Sequence, residues 1–287
     1  MPISNNRSPL RCAGVPEHFN LPWRELAETD TTNTIAYREY RGGTGAMVKA
    51  LADDEVDVAI LLTEGALTSI ASGGQHRIVK VYVDTPLEWG IHVAADSSIT
   101  EIEQIRGSRY AISRSGSGSH IMAAVHAADS GWPIDQLDFV KVRNLEGARR
   151  ALPAGDADIF FWEKTMTQPC VDRAEFRRIT TFQSPWPSFV ICASDYVIAH
   201  RRTALRQLLE RINALTRSFM SDCDGALAVA QTYDLALPIV ERWFNKTRWN
   251  TGFKLSAQTF SQVLDVLDKL ALGVDRTAKI ENMLHRL

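Results

Sequence analysis

The chain has 287 residues, and its 32 lysines and arginines nearly balance its 34 aspartates and glutamates, giving a formal net charge of −2. This balance argues against nucleic-acid binding, which usually requires a strong basic excess. The hydrophobic fraction of 45% argues against disorder and supplies a core for one large or two medium domains. The longest apolar runs, such as residues 58–62, are far shorter than the ~20 residues of a membrane-spanning helix.

The N-terminus and the cysteines bear on the cellular compartment. Residues 1–10 contain no apolar segment like that of a secretory signal peptide, which predicts a cytoplasmic protein, or a periplasmic one if the N-terminus was trimmed. The four cysteines, Cys12, Cys170, Cys192 and Cys223, are far apart and form no Cys-x-x-Cys pair. We therefore expect reduced thiols, with Cys12 and Cys192 buried in apolar strands, and neither a metal site nor a cofactor.

Strand and helix patterns alternate over the first part of the chain. Runs rich in branched and aromatic residues predict strands at Leu10–Val15, Ile35–Tyr40, Val56–Leu62 and Arg77–Val83. The intervening segments predict helices at Trp23–Asp30, Ala46–Ala52 and Gly65–Ser72. This alternation indicates an α/β layer structure.

A second unit of the same kind begins at residue 89. Strands are predicted at Trp89–Ala95, Arg109–Ser113, Phe139–Val142, Ala157–Trp162 and Phe176–Phe182. Helices are predicted at Thr100–Ile105, with Thr100 as its N-terminal cap, and at His120–Asp129 and Glu146–Leu152. A last strand at Phe189–Ala193 then precedes a change of pattern.

Beyond Arg201 the pattern is helical. Apolar residues between Leu205 and Phe219 recur on one helical face. Further helices are predicted at Gly225–Tyr233, Ile239–Phe244, Ala257–Leu272 and Thr277–Leu287.

The order of these elements predicts two lobes. Residues 1–86 and 188–287 form lobe one, with a helical C-terminal tail, and residues 87–187 form an inserted lobe two. The chain crosses between them near Asp84–Trp89 and again near Ser184–Ser188, which predicts a hinge. Ligand sites in such folds lie beyond the carboxyl ends of the strands and between domains.

Several motifs in lobe one carry a family resemblance. Gly43-x-Gly45 is followed by Met47–Ala52, then by Glu55–Ile60 and Glu64-Gly-Ala. In this order and spacing they resemble the solute-binding proteins of nitrate, sulfonate and bicarbonate ABC transporters. The resemblance implies a type II periplasmic-binding-protein fold, in which each lobe is a mainly parallel sheet flanked by helices.

The resemblance extends to two further groups of this superfamily. Fungal thiamine-pyrimidine synthesis proteins use the same fold, but their cysteine-rich cluster is absent from this sequence. The segment Gly14–Phe19 is similar to a subgroup of cytosolic proteins of fungi and bacteria. An ABC permease is an expected partner only if the protein is exported.

Candidate ligand-binding residues follow predicted strands in both lobes. In lobe one they are Glu17, His18, Thr44, Thr63 and Glu64. In lobe two they are Ser115, Gly116 and Ser117, in a glycine-serine turn with Arg114 beside it. Free backbone N–H groups at the start of a helix bind anions, although ordinary turn and cap chemistry explains the same residues.

An aromatic and acidic set lies at the crossings and at two strand ends. It consists of three tryptophans and three carboxylates, Glu64, Glu88, Trp89, Trp162, Glu163 and Trp186, and Thr85 at the first crossing is a further candidate ligand-binding residue. Aromatic faces attract cations and carboxylates accept hydrogen bonds from amino groups, so the set predicts a box for a flat, amine-bearing ring. Packing at the hinge is the alternative role for each tryptophan.

These features predict a protein that binds a small solute, either a thiamine-pyrimidine-like heterocycle or a small organic anion, between two hinged lobes. The alternative is a cytosolic enzyme of cofactor or vitamin biosynthesis on the same fold, with His18, Glu64 and Glu163 as acid/base groups. A ligand-sensing regulator is disfavoured because no helix-turn-helix precedes the first strand. The sequence does not define an oligomeric state.

Overall fold

The structure is a computed structural model that describes residues 8–270 and 279–286. Its strands are β1 (Leu10–Gly14), β2 (Ile35–Glu39), β3 (Val58–Leu62), β4 (His76–Ala94), β5 (Arg109–Ile112), β6 (Asp138–Lys141), β7 (Ile159–Glu163) and β8 (Phe176–Ser194). Its α-helices are α1 (Leu21–Glu28), α2 (Gly43–Ala52), α3 (Thr63–Ala71), α4 (Gly118–Asp129), α5 (Leu145–Ala151), α6 (Gln168–Asp172), α7 (Asp195–His200), α8 (Arg202–Ser221), α9 (Gly225–Tyr233), α10 (Leu237–Lys246) and α11 (Ala257–Lys269). Short 3-10 helices lie at His18–Asn20, Ile102–Ile105, Ile134–Gln136 and Ile280–Asn282.

The described strands form one mixed sheet in the order β2-β1-β3-β8-β4-β7-β5-β6. On one side β1 pairs in parallel with β2 and β3, and on the other β5 pairs in parallel with β6 and β7. The antiparallel pair β4 and β8 lies between these groups and joins them. We call the part built on β1–β3 lobe one and the part built on β5–β7 lobe two.

The two crossings between the lobes are continuous strands. The sequence predicts separate strands on either side of residues 84–89 and 184–188, and this prediction is wrong, because β4 and β8 each run through. Pro86 pairs with Pro187 in the middle of the ladder, and the register shifts on both sides of this pair. Proline lacks an N–H, so the ladder is irregular here without ending. The predicted lobe boundaries fall in this stretch.

Two other local predictions are corrected. The helix expected at Thr100–Ile105 is a 3-10 helix, and its cap is Glu101, whose side chain forms a capping box with Gln104. The helix expected at Thr277–Leu287 is replaced, in its described part, by a 3-10 turn and a bridge to β4. There Ile78 N–H donates to the carbonyl of Met283 at 2.9 Å. Thr277, Ala278 and Leu287 lie outside the described residues.

The core is centred on β3, whose residues Val58 to Leu61 are fully buried between helices on both faces. Cys12 and Cys192 are buried beside it, as predicted, and burial raises the pKa of both thiols. Lys80 of β4 is also buried, and its Nζ donates to the carbonyls of Asn250 at 2.6 Å and Gly252 at 2.7 Å. These bonds fix the C-terminal tail to the central strands.

A search of the described helices for a membrane-spanning candidate finds none with sufficient length and apolar character.

Candidate functional site

A cavity of about 420 Å³ lies between the lobes, at the carboxyl ends of the parallel strands. Lobe one contributes the loops after β1 and β2 and the end of β3, and lobe two contributes the loops after β5, β6 and β7. The predicted site residues that line it are Glu17, Thr44, Trp89, Ser117, Trp162 and Glu163. Arg114, noted in the sequence only as a neighbour of the glycine-serine turn, also lines it.

Arg114 extends from lobe two to the start of α2 in lobe one. Its Nη1 donates to the carbonyl of Gly42 at 3.3 Å, and a Cβ added at Gly45 would overlap its guanidinium. Among the described residues no carboxylate lies within ion-pair distance of Arg114. Burial lowers the pKa of Arg114 because the guanidinium is partly desolvated. The cavity therefore contains an arginine that forms no ion pair with any described carboxylate.

Helices α2, α4 and α5 begin at this cavity, and two of them, α2 and α4, begin without a side-chain N-cap. Helix α2 has no side-chain N-cap, and Gly43 adopts a φ of 65°, which a glycine tolerates without strain. Helix α4 begins after Ser117, whose Oγ lies 3.0 Å from Ser119 Oγ and makes no cap bond. The first turns of α-helices present N–H groups without intrahelical partners, and together with the helix dipole they favour an anion.

Four further arginines line the cavity and were missed by sequence reasoning: Arg41, Arg143, Arg149 and Arg173. Arg149 pairs with Glu146 and Glu175, and Arg173 pairs with Glu175, so their charges are largely compensated. Arg41 and Arg143 are exposed and have no carboxylate partner in the described part of the chain. The position of Arg41 and Arg143 could have identified them, because each lies just after a strand and just before a helix, whereas Arg149 lies within α5 and Arg173 follows α6.

Three carboxylates line the same cavity: Glu146 pairs with Arg149 and Arg150, whereas Glu17 of lobe one and Glu163 of lobe two have no lysine or arginine partner in the described residues. Glu163 ends β7, and its Oε2 accepts a hydrogen bond from Met166 N–H at 2.7 Å. Burial raises the pKa of Glu163 to about 7. Burial and the nearby charge of Glu163 raise the pKa of Glu17 to about 8. Both of these carboxyl groups are therefore partly protonated at neutral pH, whereas an exposed glutamate would be fully ionised.

His18 does not line the cavity. It is fully buried behind it, between Phe19 and Trp243, with ring centroids 4.4 and 4.0 Å away. Its Nε2 lies 3.7 Å from Oε1 of Glu163, and neither ring nitrogen has a hydrogen-bond partner in the described structure. Burial lowers the pKa of His18 to about 3, so the ring is neutral at physiological pH.

Trp89 and Trp162 form aromatic walls of the cavity. Trp89 pairs directly with Glu163 across the antiparallel β4–β7 ladder, which places both side chains on one face of the sheet. Trp89 is only 4% exposed, and its Nε1 has no acceptor among the described residues. A Cβ added at Gly118 would lie 2.7 Å from the Trp89 ring, so α4 begins directly against it.

The rest of the predicted aromatic and acidic set lies elsewhere. Trp186 Nε1 donates to Oε2 of Glu64 at 2.8 Å, and both residues are buried away from the cavity. The reason is that α3 begins at Thr63, directly after β3, so Glu64 belongs to a helical turn that faces β8. Thr63 Oγ1 also faces β8 and donates to the carbonyl of Pro187 at 2.5 Å.

Thr85 and Glu88 line a separate groove of about 280 Å³ beside α10. Glu88 pairs there with Lys164 at 2.7 Å. Ser115 and Gly116 lie in the turn before α4 but do not line the cavity, because the Gly116 N–H is directed to His120 Nδ1 at 3.0 Å.

The acid/base set of the enzyme alternative is brought together only in part, because His18 lies beside Glu163 and Glu64 is bonded to Trp186 instead. Of His18, Glu64 and Glu163, only Glu163 lines the cavity.

The sheet order, with its two shared central strands, defines a type II periplasmic-binding-protein-like fold. Residues 89–182, less than half of the chain, match a family model described as Ca3427-like PBP. No curated protein matches the sequence.

Solved structures share this fold over nearly the whole chain. The conserved Candida albicans CA3427 gene product, described as defining a new family with the generic periplasmic-binding-protein fold, is 22% identical, with a TM-score of 0.90 over 97% of this chain and 96% of its own. The alkanesulfonate-binding protein SsuA from Xanthomonas axonopodis pv. citri, bound to MOPS, is 18% identical, with a TM-score of 0.81 over 98% of this chain and 99% of its own. The periplasmic aliphatic sulphonate binding protein SsuA from Escherichia coli is 17% identical, with a TM-score of 0.72 over 96% of this chain and 97% of its own.

Proposed function

We propose that this chain binds a small organic anion in the cavity between its lobes. The observation that carries the proposal is the position of Arg114, whose guanidinium lies at the start of α2 without a carboxylate partner among the described residues. A partly desolvated cation with no counter-charge is costly, and a bound anion would compensate it with charge-assisted hydrogen bonds.

The surroundings of Arg114 support the same class of ligand. The starts of α2 and α4 add N–H groups to the cavity, and Ser117 adds a hydroxyl. Trp89 Nε1 is a further buried donor without an acceptor in the described residues. Together these hydrogen-bond donors can bind the several oxygen atoms of a sulfonate, carboxylate or phosphonate.

The apolar lining fits the organic part of such a ligand. Trp89, Trp162 and Phe189 line the cavity together with Leu62 and Met166. A volume of about 420 Å³ lies in the range of small-molecule sites. We therefore expect a compact aliphatic or aromatic body next to the anionic group.

Of the two ligand classes that the sequence predicts, the anion is the better supported. The arginines of the cavity favour it, and half of the aromatic and acidic set expected to hold a thiamine-pyrimidine-like ring lies elsewhere. Two proteins with similar structures are sulfonate-binding proteins, which supports the same class. A cytoplasmic location remains a prediction, as does motion of the lobes about β4 and β8.

A thermal-shift screen followed by calorimetry tests the proposal. The ligands are alkyl and aryl sulfonates, carboxylates and phosphonates, each paired with the neutral alcohol or amide of the same skeleton. Bound ligand stabilises the native state by mass action, about 2.7 kcal/mol at 100-fold excess over Kd, so anions are expected to raise Tm and neutral partners are not.

Matched variants assign the binding to the cavity. Arg114→Gln removes the charge and is expected to weaken anion binding at least tenfold. Arg217→Gln changes an exposed arginine on α8 and is expected to leave affinity unchanged. If no anion raised Tm at millimolar concentration, or if Arg114→Gln bound as tightly as the native chain, the proposal would be wrong.

A further inference from the structure

The cavity contains unpaired charges of both signs. Arg114 has no carboxylate within ion-pair distance in the described residues, and Glu17 and Glu163 have no lysine or arginine within that distance. Opposite charges that line one small cavity usually pair with each other. Here no ion pair joins Arg114 to either carboxylate, so the cavity has a positive end at Arg114 and a negative end at Glu17 and Glu163.

The negative end is assembled from both lobes. Glu17 follows β1 of lobe one, and Glu163 ends β7 of lobe two. One oxygen of Glu163 is held by Met166 N–H at 2.7 Å, while the other lies 3.7 Å from a neutral histidine, His18. A hydrogen-bond donor placed between the carboxylates would contact both lobes at once.

The pKa values of both carboxyl groups are raised, which a bound ammonium group would reverse. Burial raises the pKa of Glu163 to about 7, although Arg178 opposes the shift through its charge. Burial and repulsion from Glu163 raise the pKa of Glu17 to about 8. An ammonium group between them would relieve the repulsion and favour the ionised form of both carboxylates.

We propose that the ligand is a zwitterion, an organic anion that also carries an ammonium or amino group, with the anionic group at Arg114 and the amino group between Glu17 and Glu163. This inference rests on the proposed function and adds the second charge of the ligand. Aromatic walls between the ends, including Trp89 and Trp162, would contact the connecting part.

Two ligands of equal size measure the contribution of the amino group to binding. One is 4-(aminomethyl)benzenesulfonate and the other is 4-ethylbenzenesulfonate, which replaces the amino group with a methyl group. Calorimetry at pH 7 is expected to show at least tenfold tighter binding of the aminomethyl compound. Glu163→Gln and Glu17→Gln are each expected to reduce this preference, and the double variant is expected to abolish it while retaining 4-ethylbenzenesulfonate.

Controls separate the amino site from other effects. Glu88→Gln changes a carboxylate of the neighbouring groove that is paired with Lys164, and it is expected to leave the preference intact. Urea unfolding verifies that each variant is folded. Equal affinity of the two compounds for the native chain, or a preference that survives the double variant, would overturn this inference and leave anion binding standing. Binding of neither compound would overturn both.

Discussion

A methyl group at Gly45 should remove Arg114 from the cavity without unfolding the chain. Gly45 lies in the first turn of α2, and a Cβ there would overlap the far end of the Arg114 side chain rather than any backbone atom. A flexible arginine can move aside, so we expect Gly45→Ala to change ligand affinity much more than stability.

The expected changes in the free energy of unfolding and in ligand affinity follow from the contacts of Gly45 and Arg114. Alanine is a better helix former than glycine by about 0.5–1 kcal/mol. Loss of the hydrogen bond from Arg114 to the Gly42 carbonyl, long at 3.3 Å, costs a similar amount, so the free energy of unfolding should change by less than about 1 kcal/mol. A charge-assisted hydrogen bond to the ligand contributes about 1.5–3 kcal/mol, which corresponds to a loss of affinity of about 10- to 150-fold.

Calorimetry with the tightest anion of the screen and urea unfolding measure both quantities. Gly45→Ala and Arg114→Gln should lose similar affinity, and their double variant should lose little more, because both changes remove one interaction. Gly252→Ala is the control, since a Cβ there meets Asn250 at an ordinary 3.7 Å. Native affinity in Gly45→Ala, or additive losses in the double variant, would refute this reasoning.

Three further predictions concern stability. Lys80→Met should lower the free energy of unfolding by about 1.5–3 kcal/mol, because it removes the charge-assisted hydrogen bonds from the buried Lys80 ammonium to the partly buried carbonyls of the tail; urea unfolding measures this, and a loss below about 1 kcal/mol would contradict it. Trp186→Phe should lower the free energy of unfolding by about 1–3 kcal/mol, because Glu64 loses the hydrogen bond from the indole N–H. The same substitution should lower it much less in a chain that already carries Glu64→Gln. The native chain should lose stability as the pH rises from about 7.5 to 8.5, because burial raises the pKa of Glu64 and Glu163 to about 7 and of Glu17 to about 8, so the native state retains protons that the unfolded state has released. Histidines of the unfolded state have an ordinary pKa of about 6.5 and are largely neutral in this range, as the buried histidines of the native state are, so unfolding curves that do not change with pH would contradict the assignment.

Much of the fold could be predicted from local patterns. The apolar run of β3 and the helices on either side of it gave the parallel unit of lobe one, and the same alternation gave lobe two. The crossings could not be predicted in the same way, because prolines at 86 and 187 resemble strand ends. Whether two prolines end a strand or face each other in a shifted ladder depends on a pairing between segments about a hundred residues apart, which no local pattern contains.

The site could be predicted only in part for a related reason. Residues directly after strands, such as Glu17 and Glu163, can be placed at the correct edge of a sheet, and they do line the cavity. A residue one position into a helix, such as Glu64, points in a direction set by the start of that helix, and here it faces β8. The Arg114 side chain fits against α2 because Gly45, a residue of the other lobe, has no side chain. Its position therefore depends on a contact between the lobes, which the local sequence does not contain.

The pairing of β3 also sets an order of events during synthesis. Val58 pairs with Ala193, so one edge of the most apolar strand stays open until the ribosome has made almost two hundred residues. Strands β5, β6 and β7 lie within residues 109–163 and can pair earlier. The lobe that begins the chain is thus completed after the lobe inserted into it, and until β8 has been synthesised the edge of β3 lacks its partner strand, which makes it a site for pairing with other chains.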